Sequence, residues 1–514
     1  MKIRTHFRIC PAILASAVCA FGQLGAPAGP NTGAQATQVP LSGRTAATGG
    51  VVATQSPVAG TTTSVNTINP SIQPSGPYTG SALSTAKRPF TGKLSLQEAV
   101  ARGLEYNLGA LGLTLAAQQA HGQSMVSRSN LMPNLNGTLS ETAQQTDLKA
   151  FGFRIATPFP GISIPSVVGP FNYFDLRAHL TQTVADMTAL NNYRSSKETL
   201  RANQLFGQDA RDLVVLAVGG AYLQVIAAQA RVVSAKAQLD AANALYQQTA
   251  QQRAVGLVAQ IDVNKNQVQA LTQQQRLATL QNDLAKQKIN LARLTGLPPN
   301  ENFELTDNVP FAEAPPMSEE DAVRQALMQR ADVKAADAQV SAAERTLVAA
   351  RDERLPSLSL SADYGAIGIN PAQSHGTFTV AGTLKFPIWQ GGKTEGDIEQ
   401  ANAALSQRRA ELEDAKSKAE GDVRNAFLDL TAATSQVDVA RTNLDVTRQT
   451  LDLTRQRFDA GVTDSVDVSN AQASVAAAEL DYINAVFAHN VAKLSLARAA
   501  GGANENLPKY LKLQ

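Results

Sequence analysis

Two long stretches of the sequence place small or apolar residues alternately three and four positions apart. The second stretch runs this way from Ala426 to Phe458, and the first from Ala221 to Arg253. This spacing is typical of helices that pack against each other along a seam. It predicts two long helices, over residues 187–253 and 392–458, each roughly 100 Å long at 1.5 Å per residue. A compact globule cannot contain such a rod, so we expect a stalk or a wall.

Shorter segments alternate apolar and polar residues with the period of a β-strand, in residues 356–365, 377–388 and 174–181. Strict alternation over about ten residues fits a strand that crosses an outer membrane. It fits equally an amphipathic hairpin packed on a soluble core. Four strands per chain are too few to close a barrel, and an open sheet edge cannot face lipid. If these strands span a membrane, several chains must share one barrel, and three chains would give twelve strands.

The second half of the chain repeats the first. LSLQEAVARGLEYN aligns with SEEDAVRQALMQR, and AYLQVIAAQ aligns with AFLDLTAAT. Each unit is predicted as helix, strand, strand, long helix, turn and helix, so the fold is mainly α with a small β part. The predicted domains are a first repeat, a connector of the equatorial region, a second repeat and a C-terminal tail, over residues 93–300, 301–316, 317–502 and 503–514.

The N-terminal 92 residues lie outside this repeat. Residues 1–22 have a basic start, a short apolar stretch and small residues near Ala20 and Gly22, which predicts a secretory signal peptide. Both cysteines, Cys10 and Cys19, fall inside it, and a lipid anchor on Cys19 is the alternative. Residues 23–92 contain no Asp or Glu and are rich in Gly, Pro, Thr and Ser, which predicts a disordered leader.

Composition and charge restrict the function. The net charge of +2 argues against a nucleic-acid partner. We find no phosphate-binding loop, nucleophile elbow or dinucleotide fingerprint, and therefore predict a protein that is not an enzyme and has no cofactor. The histidines form no metal-ligand spacing: His6, His121, His179, His375 and His489. The apolar segment 213–230 contains two glutamines, so we interpret it as a packed helix face.

One short motif occurs at the end of each long predicted helix. QRAVGLVAQIDV covers residues 252–263 and RFDAGVTDSVDV covers residues 457–468. Gly256 and Gly461 are expected to adopt positive φ, because a Cβ is unfavourable there. Asp464 is a candidate helix N-cap. The acidic pair Asp262 and Asp467 would lie near helix N-termini, where negative charge is favourable.

These features together resemble the TolC-like outer-membrane efflux channels, also called outer membrane factors. The resemblance covers residues 93 to about 502 and is carried by the repeated order, LSLQEAVARGLEYN, LKFPIWQGGK (384–393) and both turn motifs. It implies a homotrimer with four strands per chain in a shared twelve-stranded barrel in outer-membrane lipid. The helices would form a periplasmic α-helical tunnel. This passive exit duct would work with a periplasmic adaptor (membrane fusion) protein and an inner-membrane transporter.

The resemblance also implies roles for residues of the turns. The adaptor would dock on a surface formed by Arg253, Gly256, Leu257, Phe458, Gly461 and Val462. Asp467 would recur three times around the narrow end of the tunnel and form a cation-selective constriction, with Asp464 and Asp262 as further candidates. The first unit departs from the pattern, since TQTVADMTAL lacks the Pro and Gly pair of LKFPIWQGG.

Two other classes of protein remain as alternatives. A soluble periplasmic coiled-coil adaptor would explain the helices, but adaptors normally have one helical hairpin flanked by compact β domains. A structural rod would explain the seams but neither the repeat nor the alternating strands. For an exit duct, drugs, metal ions, solvents and secreted proteins are all compatible cargoes, because a duct recognises little of what passes.

Overall fold

The computed structural model describes residues 49–58, 67–82, 90–150, 165–307 and 309–511. This part of the chain contains nine α-helices and eight β-strands. The helices are α1 Leu96–Tyr106, α2 Leu108–Ser129, α3 Met187–Ala254, α4 Gln260–Thr295, α5 Glu319–Gln329, α6 Ala331–Asp352, α7 Lys393–Asp459, α8 Ser465–Ala499 and α9 Ala503–Leu511. The strands are β1 Val51–Val58, β2 Thr67–Pro74, β3 Lys93–Leu94, β4 Asn134–Asp147, β5 Val167–Ala185, β6 Glu304–Leu305, β7 Ser357–Gly368 and β8 Ser374–Lys385. The predicted signal peptide, with both cysteines, lies outside the described residues.

The two long predicted helices are confirmed as α3 with 68 residues and α7 with 67 residues. Their seam positions are buried, with Ala228 and Ala235 on α3 and Ala433 and Ala440 on α7 each at most 2% exposed. Alanine at these positions lets neighbouring helices approach closely without side-chain clashes. Helix α3 packs against α2, α4, α6 and α8, and α7 packs against α6 and α8. The result is a bundle of rods, roughly 100 Å long at 1.5 Å per residue.

The order of elements is the same in both halves of the chain. Helices α1 and α2 precede β4 and β5, which lead into α3 and α4, and the order α5, α6, β7, β8, α7, α8 follows. Each half has a break between its first two helices. At the first break, buried Asn107 accepts the Gly109 N–H and donates to the Tyr78 carbonyl. At the second, buried Arg330 pairs with Asp332 and with Asp422 of α7.

Four strands form one antiparallel sheet in the order β4-β5-β7-β8. The apolar residues predicted to share a face do so, since Tyr364 stands opposite Phe378, and Leu358 opposite Leu384. Within the described chain, the outer edges of β4 and β8 have no partner strand. The sheet therefore ends in two open edges.

The main apolar core lies at the middle of the molecule, where the helix pairs meet the connector. Strands β3 and β6 pair in parallel there. Helix α9 adds Leu507 and Leu511 to a core that also contains Tyr222 and Leu494. The only described stretch apolar and long enough to cross a membrane as a helix lies in α3, and 72% of it is buried within the chain. This burial agrees with a packed helix face.

The prediction of a disordered leader over residues 23–92 is wrong for its described parts. Strands β1 and β2 form an antiparallel hairpin that contacts α3 and α8. Ile72 packs against the core, and a Cβ on Gly220 of α3 would lie within 3.0 Å of its Cγ1. Tyr78 is buried against Gly109. Composition suggested too little apolar surface for folding, but the described strands β1 and β2 fold against surface that the helices supply.

Candidate functional site

The first helical turn joins α3 to α4. Gly256 has φ +79°, and its N–H donates to the Arg253 carbonyl, while the Leu257 N–H donates to the Gln252 carbonyl. The predicted positive φ is therefore confirmed. Leu257 is 74% exposed and Arg253 is also exposed. This turn presents an apolar side chain and a cation to solvent.

The second turn, between α7 and α8, has the same geometry. Gly461 has φ +72°, its N–H donates to the Phe458 carbonyl, and the Val462 N–H donates to the Arg457 carbonyl. Both turns thus satisfy the last carbonyls of their long helix through a glycine in the left-handed conformation. Val462 is 66% exposed.

The structure brings the two turns to the same end of the bundle. A small apolar cluster joins Leu245 of α3 to Leu451 of α7 and Val468 of α8, each a short distance along its helix from a turn. Phe458 is half-buried and packs against this cluster. The Phe458 ring therefore packs inside the bundle beneath the second turn, whereas Leu257 and Val462 form the exposed surface.

The three predicted acids have different surroundings. Asp464 is the N-cap of α8, and its carboxylate accepts the N–H groups of Val466 at 3.0 Å and Asp467 at 3.1 Å. Asp467 is exposed and accepts the Thr463 hydroxyl. Asp262 is half-buried and lies 3.6 Å from the Lys265 ammonium. Asp467 is thus an exposed carboxylate in the first turn of α8, and Asp262 has a cation beside it.

The two faces of the four-stranded sheet differ in chemistry. One face exposes large apolar side chains: Leu135, Leu139, Leu176, Tyr364, Phe378, Val380 and Leu384. On the other face, Arg177 of β5 binds both carboxylate oxygens of Asp175, at 2.7 and 2.9 Å, and donates to Asp363 of β7 at 2.8 Å. His179 lies 3.2 Å from the Thr138 hydroxyl on that polar face. An apolar face on one side and a charged face on the other suit a wall between lipid and water.

Sequence reasoning missed a buried polar cluster on α8 that fixes the connector. Asn490 donates to the Val309 carbonyl at 3.2 Å, and Lys493 donates to the Ala312 carbonyl at 2.9 Å. The ring of His489 lies 4.7 Å from that of Phe311 between centroids. Burial, together with the positive charge of Lys493, lowers the pKa of His489 to about 4. The sequence signal was weak, since asparagine and lysine are mostly exposed in proteins and histidine has no strong preference.

Comparison with known proteins gives one family match and several similar structures. The model of the outer membrane efflux protein family matches residues 113–297 and 322–502, more than two thirds of the chain. The pyoverdine export outer membrane protein OpmQ of Pseudomonas aeruginosa is 24% identical over 303 residues, which are 57% of this chain. The match spans 61% of the length of OpmQ.

Two solved structures share the fold at low sequence identity. The CmeC outer membrane channel of Campylobacter jejuni superimposes with a TM-score of 0.68 at 18% identity, covering 84% of this chain and 94% of CmeC. The outer membrane protein VceC of Vibrio cholerae gives a TM-score of 0.64 at 18% identity, covering 79% of this chain and 96% of VceC. These similarities concern the fold, and they cover nearly the whole of each solved chain.

Proposed function

The chain belongs to the outer membrane efflux protein family, and on this basis we propose that it is the exit duct of a tripartite efflux or secretion system. Three copies form the duct in the bacterial outer membrane. Each copy contributes four strands to a shared twelve-stranded barrel and its long helices to a periplasmic tunnel. The duct is passive and has no catalytic role, and an inner-membrane transporter supplies the energy.

The observation that carries this proposal is the four-stranded sheet with two open edges. Strands β4 and β8 are its outer strands, and most of its exposed large apolar side chains lie on one face. An open edge in lipid would leave backbone N–H and C=O groups without partners, at several kcal/mol each. Pairing of β4 with β8 of another copy removes both edges, and barrels begin at about eight strands.

Disulfide cross-linking tests this pairing directly, because both natural cysteines lie in the predicted signal peptide. Thr138→Cys on β4 is combined in turn with Thr379→Cys, Ala381→Cys or Thr383→Cys on β8. All four positions share the polar face of the sheet. Paired strands bring Cα atoms to about 4.5–5.5 Å, within disulfide range.

We expect one of the three combinations to give covalent dimers and trimers in isolated outer membranes, and each single variant to remain monomeric under denaturing conditions. Monomer in every combination, with the protein present in that membrane, would contradict the shared barrel.

The two helical turns are the proposed docking surface for a periplasmic adaptor protein. Support comes from the exposed apolar side chains of Leu257 and Val462 at one end of the bundle. Leu257→Asp combined with Val462→Asp should weaken adaptor binding at least about ten-fold, since burying a Val or Leu side chain contributes about 1.5–3 kcal/mol. Val233→Asp is the matched control, because Val233 is 71% exposed on α3 away from the turns. Equal loss in the control would contradict docking at the turns.

Asp467 is the proposed constriction residue of the trimer. Its exposed carboxylate would occur three times around the tunnel axis, where a ring of negative charge attracts cations. Asp464 is an N-cap and Asp262 has Lys265 beside it, so both are weaker candidates. In bilayer recordings, Asp467→Asn should therefore reduce cation preference more than Asp262→Asn does.

The domain organisation follows as part of the same proposal. A tandem duplication produced repeats over residues 93–300 and 317–502, and this is supported by the repeated element order and by the two separate family matches. The connector 301–316 and the tail 503–514 complete the equatorial region. Two helical hairpins per chain and an amphipathic sheet favour the duct over an adaptor or a rod.

A further inference from the structure

The polar face of the four-stranded sheet carries two aromatic side chains at one end. Strand β5 pairs with β4 without interruption from Thr181 back to Phe171, so every second residue of this stretch is on the same face. Phe171 and Tyr173 therefore share the face of Asp175 and Arg177. Phe171 is 41% exposed and Tyr173 is half-buried. Two rings on a mainly polar face need an explanation.

The two rings lie at the end of the sheet that is far from the helices. Strand β7 starts to pair with β5 at Phe174, which stands opposite Gly368. Within the described chain, residues 167–173 of β5 pair only with β4, so two of the four strands continue past this point. In the proposed barrel, this two-stranded extension stands at the outer mouth, and the polar face of the sheet lines the lumen.

A charged cluster follows the rings on the same face. Arg177 donates to Asp175 at 2.7 Å and to Asp363 of β7 at 2.8 Å. Gly365 stands opposite Arg177, and a Cβ on Gly365 would lie 2.5 Å from Arg177 Cγ. The glycine thus leaves room for the arginine to reach β7. Because two carboxylates share one guanidinium, the cluster has an excess of negative charge.

Rings beside an excess of negative charge favour one class of ligand. An aromatic ring attracts a cation within about 6 Å of its centroid. Tyr173 and Asp175 are two residues apart, roughly 7 Å along the strand, so a cation between them contacts both a ring and a carboxylate. Asp147 and Lys149 at the end of the extension have opposite charges, and Lys385 is at the other end of the face. The charge beside the rings therefore stays negative.

Lipid does not account for these two rings. In a membrane barrel, the side chains that contact lipid are on the apolar face of the sheet. Phe174 lies between Tyr173 and Asp175 in the sequence, and it is on that apolar face with Leu176. Phe171 and Tyr173 are on the opposite face, where they would contact what passes through the lumen.

We propose that Phe171 and Tyr173, together with the cluster of Asp175, Arg177 and Asp363, form a binding site for organic cations that carry an aromatic group. We name it the mouth site. This inference rests on the proposed function, because the site lies inside the outer mouth of the barrel and occurs three times around the lumen. A departing aromatic cation is retained briefly there, and an aromatic anion is not.

Two probes of matched shape and opposite charge test the mouth site. Benzyltrimethylammonium and phenylmethanesulfonate share a benzyl group and differ in the sign of their charge. Saturation-transfer NMR measures magnetisation passed from the trimer in lipid nanodiscs to the benzyl protons, with the signal of empty nanodiscs subtracted. Transfer to the cation should exceed transfer to the anion about two- to five-fold, the size of an exposed cation–π contact.

Three variants locate this preference on the chain. Phe171→Ser combined with Tyr173→Ser should remove most of it. Phe174→Ser is the matched control, because it removes a ring from the same strand on the opposite face, and it should leave the preference unchanged. Asp175→Asn leaves Arg177 with a single carboxylate and removes the excess negative charge, so transfer to the two probes should become nearly equal.

The outcomes separate the mouth site from the proposed function. A trimer with equal transfer to both probes, or with a preference that survives the double variant, would overturn the mouth site alone. An equal loss of preference in Phe174→Ser would show a general effect of ring removal on the barrel and would also overturn the site. A protein that is not trimeric would overturn the exit duct and this inference together.

Discussion

Acidification should loosen the centre of the molecule through His489. This side chain is 1% exposed, and its Nδ1 has no hydrogen-bond partner in the part of the chain that the structure describes. Protonation would place a second positive charge beside Lys493. Burial and this charge together lower the pKa of His489 from 6.5 to about 4. The unfolded or locally opened state, with its ordinary pKa, therefore binds a proton that the closed state rejects. The contribution of neutral His489 to stability is fully present above about pH 6.5 and is lost as the pH drops towards 4.

The magnitude follows from the size of the pKa change. At 1.36 kcal/mol per pKa unit, the opening free energy should fall by about 2 kcal/mol between about pH 7 and pH 5. The measurement is amide hydrogen exchange in α8 around His489, corrected for the intrinsic effect of pH on exchange. A change of about 2 kcal/mol appears as a roughly thirty-fold larger open population.

Two variants make this prediction specific. His489→Phe keeps a ring against Phe311 but cannot titrate, so its opening free energy should not change between the two pH values. His121→Gln removes an exposed histidine of α2 and should behave as the unmodified protein does. An equal pH effect in His489→Phe, or none in the unmodified protein, would refute the reasoning.

Three further predictions concern the turns and the N-terminal hairpin. Asp467→Asn should lower cation preference, and an unchanged reversal potential in bilayer recordings would count against the constriction. Gly461→Ala should speed amide exchange in the second turn about ten-fold, because a residue with a Cβ pays about 1–2 kcal/mol for the left-handed conformation. No neighbour lies within 4 Å of that Cβ, so the effect would come from the backbone and not from a clash. The control Gly421→Ala, inside α7, should leave exchange in the turn unchanged, and an equal effect in both variants would refute backbone strain as the cause. Gly220→Ala should release the hairpin β1–β2 from α3, because the new methyl group overlaps Ile72 and such overpacking costs about 1–3 kcal/mol. Faster proteolysis of the hairpin would show the release. If overlap is the cause, adding Ile72→Ala should restore protection.

Much of the fold could be predicted from the sequence because its strongest signals are local. The seam spacing predicts helices over 187–253 and 392–458, within one residue of α3 and α7 at each end. Strand β8 ends three residues earlier than predicted, at Lys385. Pro387 has no N–H for the ladder, and the chain leaves the sheet before it.

Features that depend on distant parts of the chain could not be predicted in this way. The hairpin β1–β2 has the composition of a disordered segment and is held by α3 and α8, which follow much later in the sequence. The burial of His489 depends on the connector. For the turns, the glycines at 256 and 461 predicted the left-handed backbone conformation. Only the packing of Leu245 with Leu451 brings both turns to one end of the helical bundle.

The most direct test of the account is the native mass of the protein extracted from the outer-membrane fraction in a mild detergent. We predict a trimer, because only several copies can close the open edges of the β4-β5-β7-β8 sheet. A monomer from that membrane, or absence from it, would contradict the shared barrel and with it the exit-duct function.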